Sequence, residues 1–252
     1  MKFKKIVLLA FALSSLISIS LYADEDLPKD KPGTAVFVMS SENNSSIKVT
    51  TEFIEEETRY LNVDMKIPVM DNFNNKRFQR KLNKKIKNNQ LNIKCQIEKE
   101  SKKICPSYPY ELLTNYNVKS NGDIFSLGIS VYDYRGGAHG MTRNTYYNVD
   151  TRNSRLISLE EYISDYYGKD TEYKEIINQE INKQIKDREE EGQVFFDDDD
   201  GFTGIKEGQA FYINEDGQLV IVFGLYEIAP YAEGIIEFII PNELLSFDYK
   251  SL

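Results

Sequence analysis

Phe125, Leu127, Ile129 and Val131 occupy every second position of one segment, with small or polar residues between them. That period predicts a strand with one face in a core. Tyr110 to Lys119 reads as the strand before it, and Asn121-Gly122 between the two is the signal of a type I′ turn, so the pair predicts an antiparallel hairpin. Ile47 to Ile54 and Arg59 to Val69 predict another hairpin, parted by Glu55-Glu56-Glu57. In the segment 72–89, Phe78, Leu82 and Ile86 recur every fourth residue with Lys and Arg on the other faces, the spacing of an amphipathic helix.

Beyond the central hairpin, Tyr132, Tyr134 and Arg135 lead into a glycine-rich stretch, and Thr145 to Val149 restarts an extended segment. Ser158-Leu159-Glu160-Glu161 has the form of a capping box for a short helix. Asp170 or Thr171 is placed to cap a longer one, in which Tyr173, Ile177, Ile181 and Ile185 share a face. Ala210–Ile213, the turn Asn214-Glu215-Asp216-Gly217 and Leu219–Phe223 predict a further hairpin, and Ile235–Ile240 a last strand ending at Pro241. The sum is an α+β fold: antiparallel sheets built from hairpins, with two long amphipathic helices packed on them.

The N-terminus is organised differently. Met1-Lys-Phe-Lys-Lys, an apolar run from Ile6 to Tyr22, then Ala23 before acidic residues form the order of a secretory signal, expected to span 1–23. The alternative is an uncleaved anchor, since about 17 apolar-rich residues can just span a bilayer. Either places the rest outside the cytoplasm, secreted or tethered by that helix alone. No cysteine follows the apolar run closely enough for lipid attachment. Residues 24–46, with Pro28, Pro32, Gly33 and a Ser/Asn run, read as a linker in which 34–39 could form a short strand.

The formal net charge is −9, and cleavage after Ala23 would take three lysines with it, leaving 28 basic against 40 acidic residues. Nucleic acid and anionic membrane surfaces are therefore not expected partners, whereas a basic partner would be steered in. Cys95 and Cys105 lie ten apart across a charged, hairpin-like segment of an exported chain, so a disulfide is expected over two free thiols. Two cysteines without nearby histidine do not close a zinc site.

Two motifs stand out. Gly136-Gly137-Ala138-His139-Gly140 holds the chain's single histidine, and Tyr226-Glu227-Ile228-Ala229-Pro230-Tyr231-Ala232-Glu233-Gly234 precedes the last strand. Glycines allow positive φ and close backbone approach, so Gly136, Gly137 and Gly140 could present amides to a ligand beside His139; the other reading is a tight corner that His139 completes. Tyr226 and Tyr231 either fill a core edge or offer an aromatic surface to a protein or glycan. Glu227 and Glu233 would act together only if the loop folded them so. One histidine without a recognisable nucleophile or nucleophile elbow defines no catalytic residue, and no cofactor is expected. Asp198, Asp200 and Glu207 fall at the third, fifth and twelfth positions of a calcium loop, but Phe196 takes the first, so calcium is a weak candidate beside a solvated acidic loop.

The strand leading to His139, the 156–162 segment, the long helix, Phe211-Tyr212-Ile213 with Asp216-Gly217, and the Tyr226–Gly234 motif followed by Ile239-Ile240-Pro241 resemble an extracytoplasmic domain-of-unknown-function family. It is shared by the ectodomain of the lysozyme-sensing anti-sigma-V factor RsiV and the N-terminal region of the deacetylase PdaC. The resemblance covers most of 47–245 and implies an N-terminal α+β unit over 47–135 and a C-terminal unit over 136–252 carrying both motifs. Only five residues precede the apolar run, so direct sigma-factor control is not expected, and the spacing of a metal-dependent deacetylase site is missing. The leading expectation is a non-catalytic binding domain for a protein or cell-envelope glycan, with lysozyme as the ligand the resemblance implies. An envelope enzyme acting on glycan and a structural or adhesive surface protein stay open.

Overall fold

The computed structural model describes residues 46–168 and 172–246. The signal, the linker to Ser45, the strand expected over 34–39 and the caps expected of Asp170 or Thr171 lie outside the described residues.

Strands β1 (Lys48–Glu57) and β2 (Leu61–Asp71) pair antiparallel as expected, and α1 (Lys76–Ile104) follows. Asn75 caps α1, its side chain accepting from the amides of Arg77 and Phe78 at 3.1 and 3.0 Å. The helix runs fifteen residues beyond the expected end at Asn89, because the buried stripe of Leu82, Ile86 and Gln90 continues through Ile97 and Ser101. Asn83 ties it to the sheet, accepting from the Met70 amide at 3.0 Å and donating to the Met70 carbonyl at 2.8 Å.

The extension corrects the disulfide expectation. Cys95 lies within α1 and Cys105 caps its end at φ 50°, and both thiols are free and exposed. Ten helical residues separate them by about 15 Å, at about 1.5 Å rise each, twice the Cα separation a disulfide spans.

β3 (Tyr110–Asn121) and β4 (Ile124–Tyr134) form the central hairpin. Its turn is not type I′, since neither Asn121 nor Gly122 has positive φ. Asn121 instead uses its amide group on the residue before β1, accepting from the Ile47 amide at 2.9 Å and donating to the Ile47 carbonyl at 2.8 Å. β5 (Met141–Asp150) pairs with β4, and the two-residue β6 (Arg155–Leu156) closes a sheet ordered β1-β2-β3-β4-β5-β6. One pairing departs from the antiparallel expectation. β2 and β3 run parallel, because α1 carries the chain across the sheet between them.

α2 (Leu159–Tyr167) begins with the capping box of Ser158 and Glu161, and α3 (Tyr173–Glu190) buries Tyr173, Ile177 and Ile181. β7 (Phe211–Ile213), β8 (Leu219–Phe223) and β9 (Ile236–Ile240) make a second, antiparallel sheet, and α4 (Asn242–Ser246) follows.

Two cores result. Phe125, Leu127, Ile129 and Val131 pack beneath α1 with Leu112, Met65 and Ile67, while Ile163, Ile177, Leu219 and Phe238 belong to the core of the second sheet and the later helices. The 135/136 division falls inside the β4–β5 hairpin, whose strands pair at ten positions across it.

The large sheet's second face carries polar residues, and β7 lies against it. Ser126 and Asn148, 0% and 4% exposed, form a chain there: the Ile213 amide donates to Ser126 Oγ at 3.1 Å, Ser126 to Asn148 Oδ1 at 2.7 Å, and Asn148 Nδ2 to the Phe211 carbonyl at 2.8 Å. Two side chains of the large sheet thus satisfy backbone groups of the small one. Tyr146 of β5 stacks on Tyr212 of β7 at 5.3 Å beside this link.

Candidate functional site

The two sequence motifs meet. β4 and β5 are joined by residues 135–140, and Gly136 and Gly137 take φ 85° and 100°, values that favour glycine over any side chain. Gly140 makes room for a neighbour instead. A Cβ there would stand 2.4 Å from the ring of Tyr132. Tyr134 donates its hydroxyl to the Gly137 carbonyl at 3.0 Å and holds the loop against its own strand.

The second motif turns between β8 and β9. Glu227 closes its start, Oε2 accepting from the Gly224 amide at 2.7 Å, while Ile228 and Ala229 plug into the core and Gly234 turns out at φ 75°. These anchors leave Tyr226 48% exposed with φ 64°, left-handed backbone that a tyrosine adopts at a cost of about 1–2 kcal/mol.

His139 sits exposed against the two tyrosines. Its ring stacks on Tyr231, centroids 3.9 Å apart and planes 25° from parallel, and tilts toward Tyr226 at 6.3 Å. Nδ1 is 3.0 Å from the Gly140 carbonyl. A carbonyl only accepts, so Nδ1 carries the hydrogen, and in the neutral ring Nε2 is left to accept from the Tyr226 hydroxyl at 3.3 Å. Tyr231 donates to the same Gly140 carbonyl at 3.1 Å. The result is a fixed aromatic surface of three rings drawn from two distant loops.

A charge cluster the sequence did not single out steadies its base. Asp133, 4% exposed, accepts from Arg135 Nε at 2.6 Å and is also paired with Arg143, while Arg135 reaches Glu100 of α1 at 2.6 Å. A buried carboxylate between two guanidiniums pins both ends of the loop. Its signal in the sequence was the acid and two bases immediately flanking the glycines.

Chemically this surface can stack on a planar or C–H-rich face and exchange hydrogen bonds at its rim. Among the described residues neither ring nitrogen of His139 meets a serine, threonine, cysteine or carboxylate side chain. Glu227 serves the backbone of its own turn. Of the weak calcium candidates, Asp198 and Asp200 lie on an exposed 3-10 turn and Glu207 falls in the turn before β7, and among the described residues no three acidic, histidine or cysteine side chains are grouped to hold a metal ion. No described helix is long and apolar enough to cross a membrane.

A sheet crossed by one long helix, with a second small sheet, defines an α+β fold of the kind found in solved DUF3298 structures. A member from Bacteroides fragilis NCTC 9343 superposes with a TM-score of 0.59 at 19% identity, covering 79% of this chain and 92% of that one. Another, from Pseudomonas aeruginosa PAO1, gives 0.50 at 16% identity over 79% and 91%. The family model described as "Deacetylase PdaC" matches residues 54–142, and that described as "Protein of unknown function (DUF3298)" matches 164–243. The anti-sigma-V factor RsiV of Bacillus subtilis (strain 168) is 29% identical over 200 residues, 77% of this chain and 67% of RsiV. Together these matches support a domain of the kind that RsiV and PdaC share. His139 comes from one matched half and the two tyrosines from the other.

Proposed function

We propose that this chain is a non-catalytic extracytoplasmic binding protein whose ligand, a protein or cell-envelope component, is met at the surface of His139, Tyr226 and Tyr231. The carrying observation is the exposed stack itself. Three rings are held in place by glycine geometry, a left-handed tyrosine and shared hydrogen bonds to one carbonyl, so little ordering entropy is lost on binding. Its likeness to RsiV makes lysozyme the first candidate, and a chain of net charge −9 suits a basic protein electrostatically.

The test is calorimetric titration of the chain with a basic lysozyme at two salt concentrations, beside an unrelated basic protein. Saturable binding specific to lysozyme that survives the higher salt, and that falls about tenfold or more in Tyr231→Ala, supports the reading. Equal, salt-sensitive binding to both proteins, or a Tyr231→Ala variant that binds as the parent does, refutes it. Catalytic turnover of the ligand would replace it with an enzymatic one.

A further inference from the structure

A cleft of about 620 Å³ opens elsewhere, between α2, the β3–β4 turn and the β7–β8 turn. Helical spacing builds its aromatic side. Tyr162 and Tyr166, four residues apart on α2, bring their centroids to 5.0 Å, and Tyr167 meets Tyr162 edge-on at 5.8 Å. Tyr162, 4% exposed, rests against Phe211 as the floor, whereas Tyr166 is a wall, 38% exposed. Tyr167 is anchored through its hydroxyl to Asn242 Oδ1 at 3.3 Å.

The facing walls are set before any ligand arrives. Asn121 is fixed by its two bonds to Ile47, and Asn214 Oδ1 accepts from the Gln218 amide at 2.8 Å across the other turn. Glu215 lines the cleft with its carboxylate exposed and without an ion pair among the described residues; Asp123, also at the rim, is neutralised by Arg152. No lysine or arginine lines it.

These features sort ligand chemistries. A phosphate, sulfate or carboxylate would meet Glu215 with no counter-charge. A lone ammonium suits tyrosine faces but fills a small part of this volume, which falls in the range for a small organic ligand. A sugar meets every condition, because its C–H face stacks on tyrosine while its hydroxyls donate to a carboxylate and to turn carbonyls. We propose that this cleft is a second binding site, distinct from the His139 surface, for an uncharged sugar of one or two rings.

Two probes, diacetylchitobiose and cellobiose, are titrated into the full chain by saturation-transfer NMR and by tyrosine fluorescence, which no tryptophan obscures, with choline as the cationic control. The expected result is saturable binding of at least one sugar with a Kd near or below about 1 mM, with saturation concentrated on ring C–H protons. Tyr166→Ala weakens it about tenfold or more, with circular dichroism unchanged because the residue stands at the surface. Glu215→Gln weakens it severalfold, and Tyr226→Ala leaves it unchanged, separating this site from the other. The proposal is overturned if neither sugar saturates, if Tyr166→Ala binds as the parent does, or if choline binds in place of the sugars.

Discussion

Replacing Asn148 by alanine tests how the two sheets are joined. The side chain is 4% exposed and serves two partners, accepting from Ser126 Oγ at 2.7 Å and donating to the Phe211 carbonyl at 2.8 Å. Alanine strands both groups where water does not reach, at about 1–3 kcal/mol each, so the loss is about 2–6 kcal/mol in all. For a domain this size each kcal/mol lowers Tm by about 2–4 °C, and a loss of about 3 kcal/mol lowers it by about 6–12 °C. Ser126→Ala strands the Ile213 amide instead and also breaks the bond to Asn148, so the double variant falls short of the summed single losses by about 1 kcal/mol. Urea denaturation followed by circular dichroism, with all three variants compared at one pH, reads these values. A loss below about 1 kcal/mol for Asn148→Ala, or strict additivity, would mean that the small sheet is held by its apolar contacts alone.

Gly140→Ala sets a methyl against the Tyr132 ring, and overpacking of this kind costs about 1–3 kcal/mol; thermal denaturation measures it, and proton NMR should show the His139 ring resonances moved by loss of the stack, with an unshifted spectrum refuting the close approach. Burial is the main cause that pushes the Tyr146 hydroxyl up to about 12, with Glu237 adding to it against a hydrogen bond to Asn144. The folded state therefore holds this proton more tightly than the unfolded chain. Stability from it is complete below the ordinary tyrosine value of about 10 and is lost as pH rises toward 12, so Tyr146→Phe flattens the alkaline limb of the stability profile; an identical limb in the variant would refute the assignment.

Most elements were legible because their periods were undisturbed. The alternation from Phe125 to Val131, the capping box at Ser158 and the face running from Tyr173 to Ile185 each gave the observed element. The end of α1 was missed because two cysteines among lysines suggested a hairpin, although Ile93 and Ile97 prolong the stripe of Leu82 and Ile86. The parallel pairing of β2 with β3 leaves no local mark, since it depends on where a 29-residue helix sets the chain down. Ser126 and Asn148 are polar residues within strands, and their burial follows only from the second sheet that covers them. Both loops of the His139 surface were recognised singly. Their meeting is a tertiary fact, because residues 139 and 226 touch only once β4–β5 and β8–β9 have packed.

In the described sheet β1 is one of the two edge strands, and its last six positions hold four glutamates. Lys87 and Lys94 of α1 reach back to Glu52 and Glu56, leaving Glu55 and Glu57 without an ion pair among the described residues. An exposed strand edge is a template for another chain, and repulsion between like carboxylates counters it. Two molecules meeting along this edge would bring those carboxylates together, so crowding at neutral pH and low salt keeps the edges apart. High ionic strength weakens that guard, and that is the condition under which strand-to-strand association would begin here.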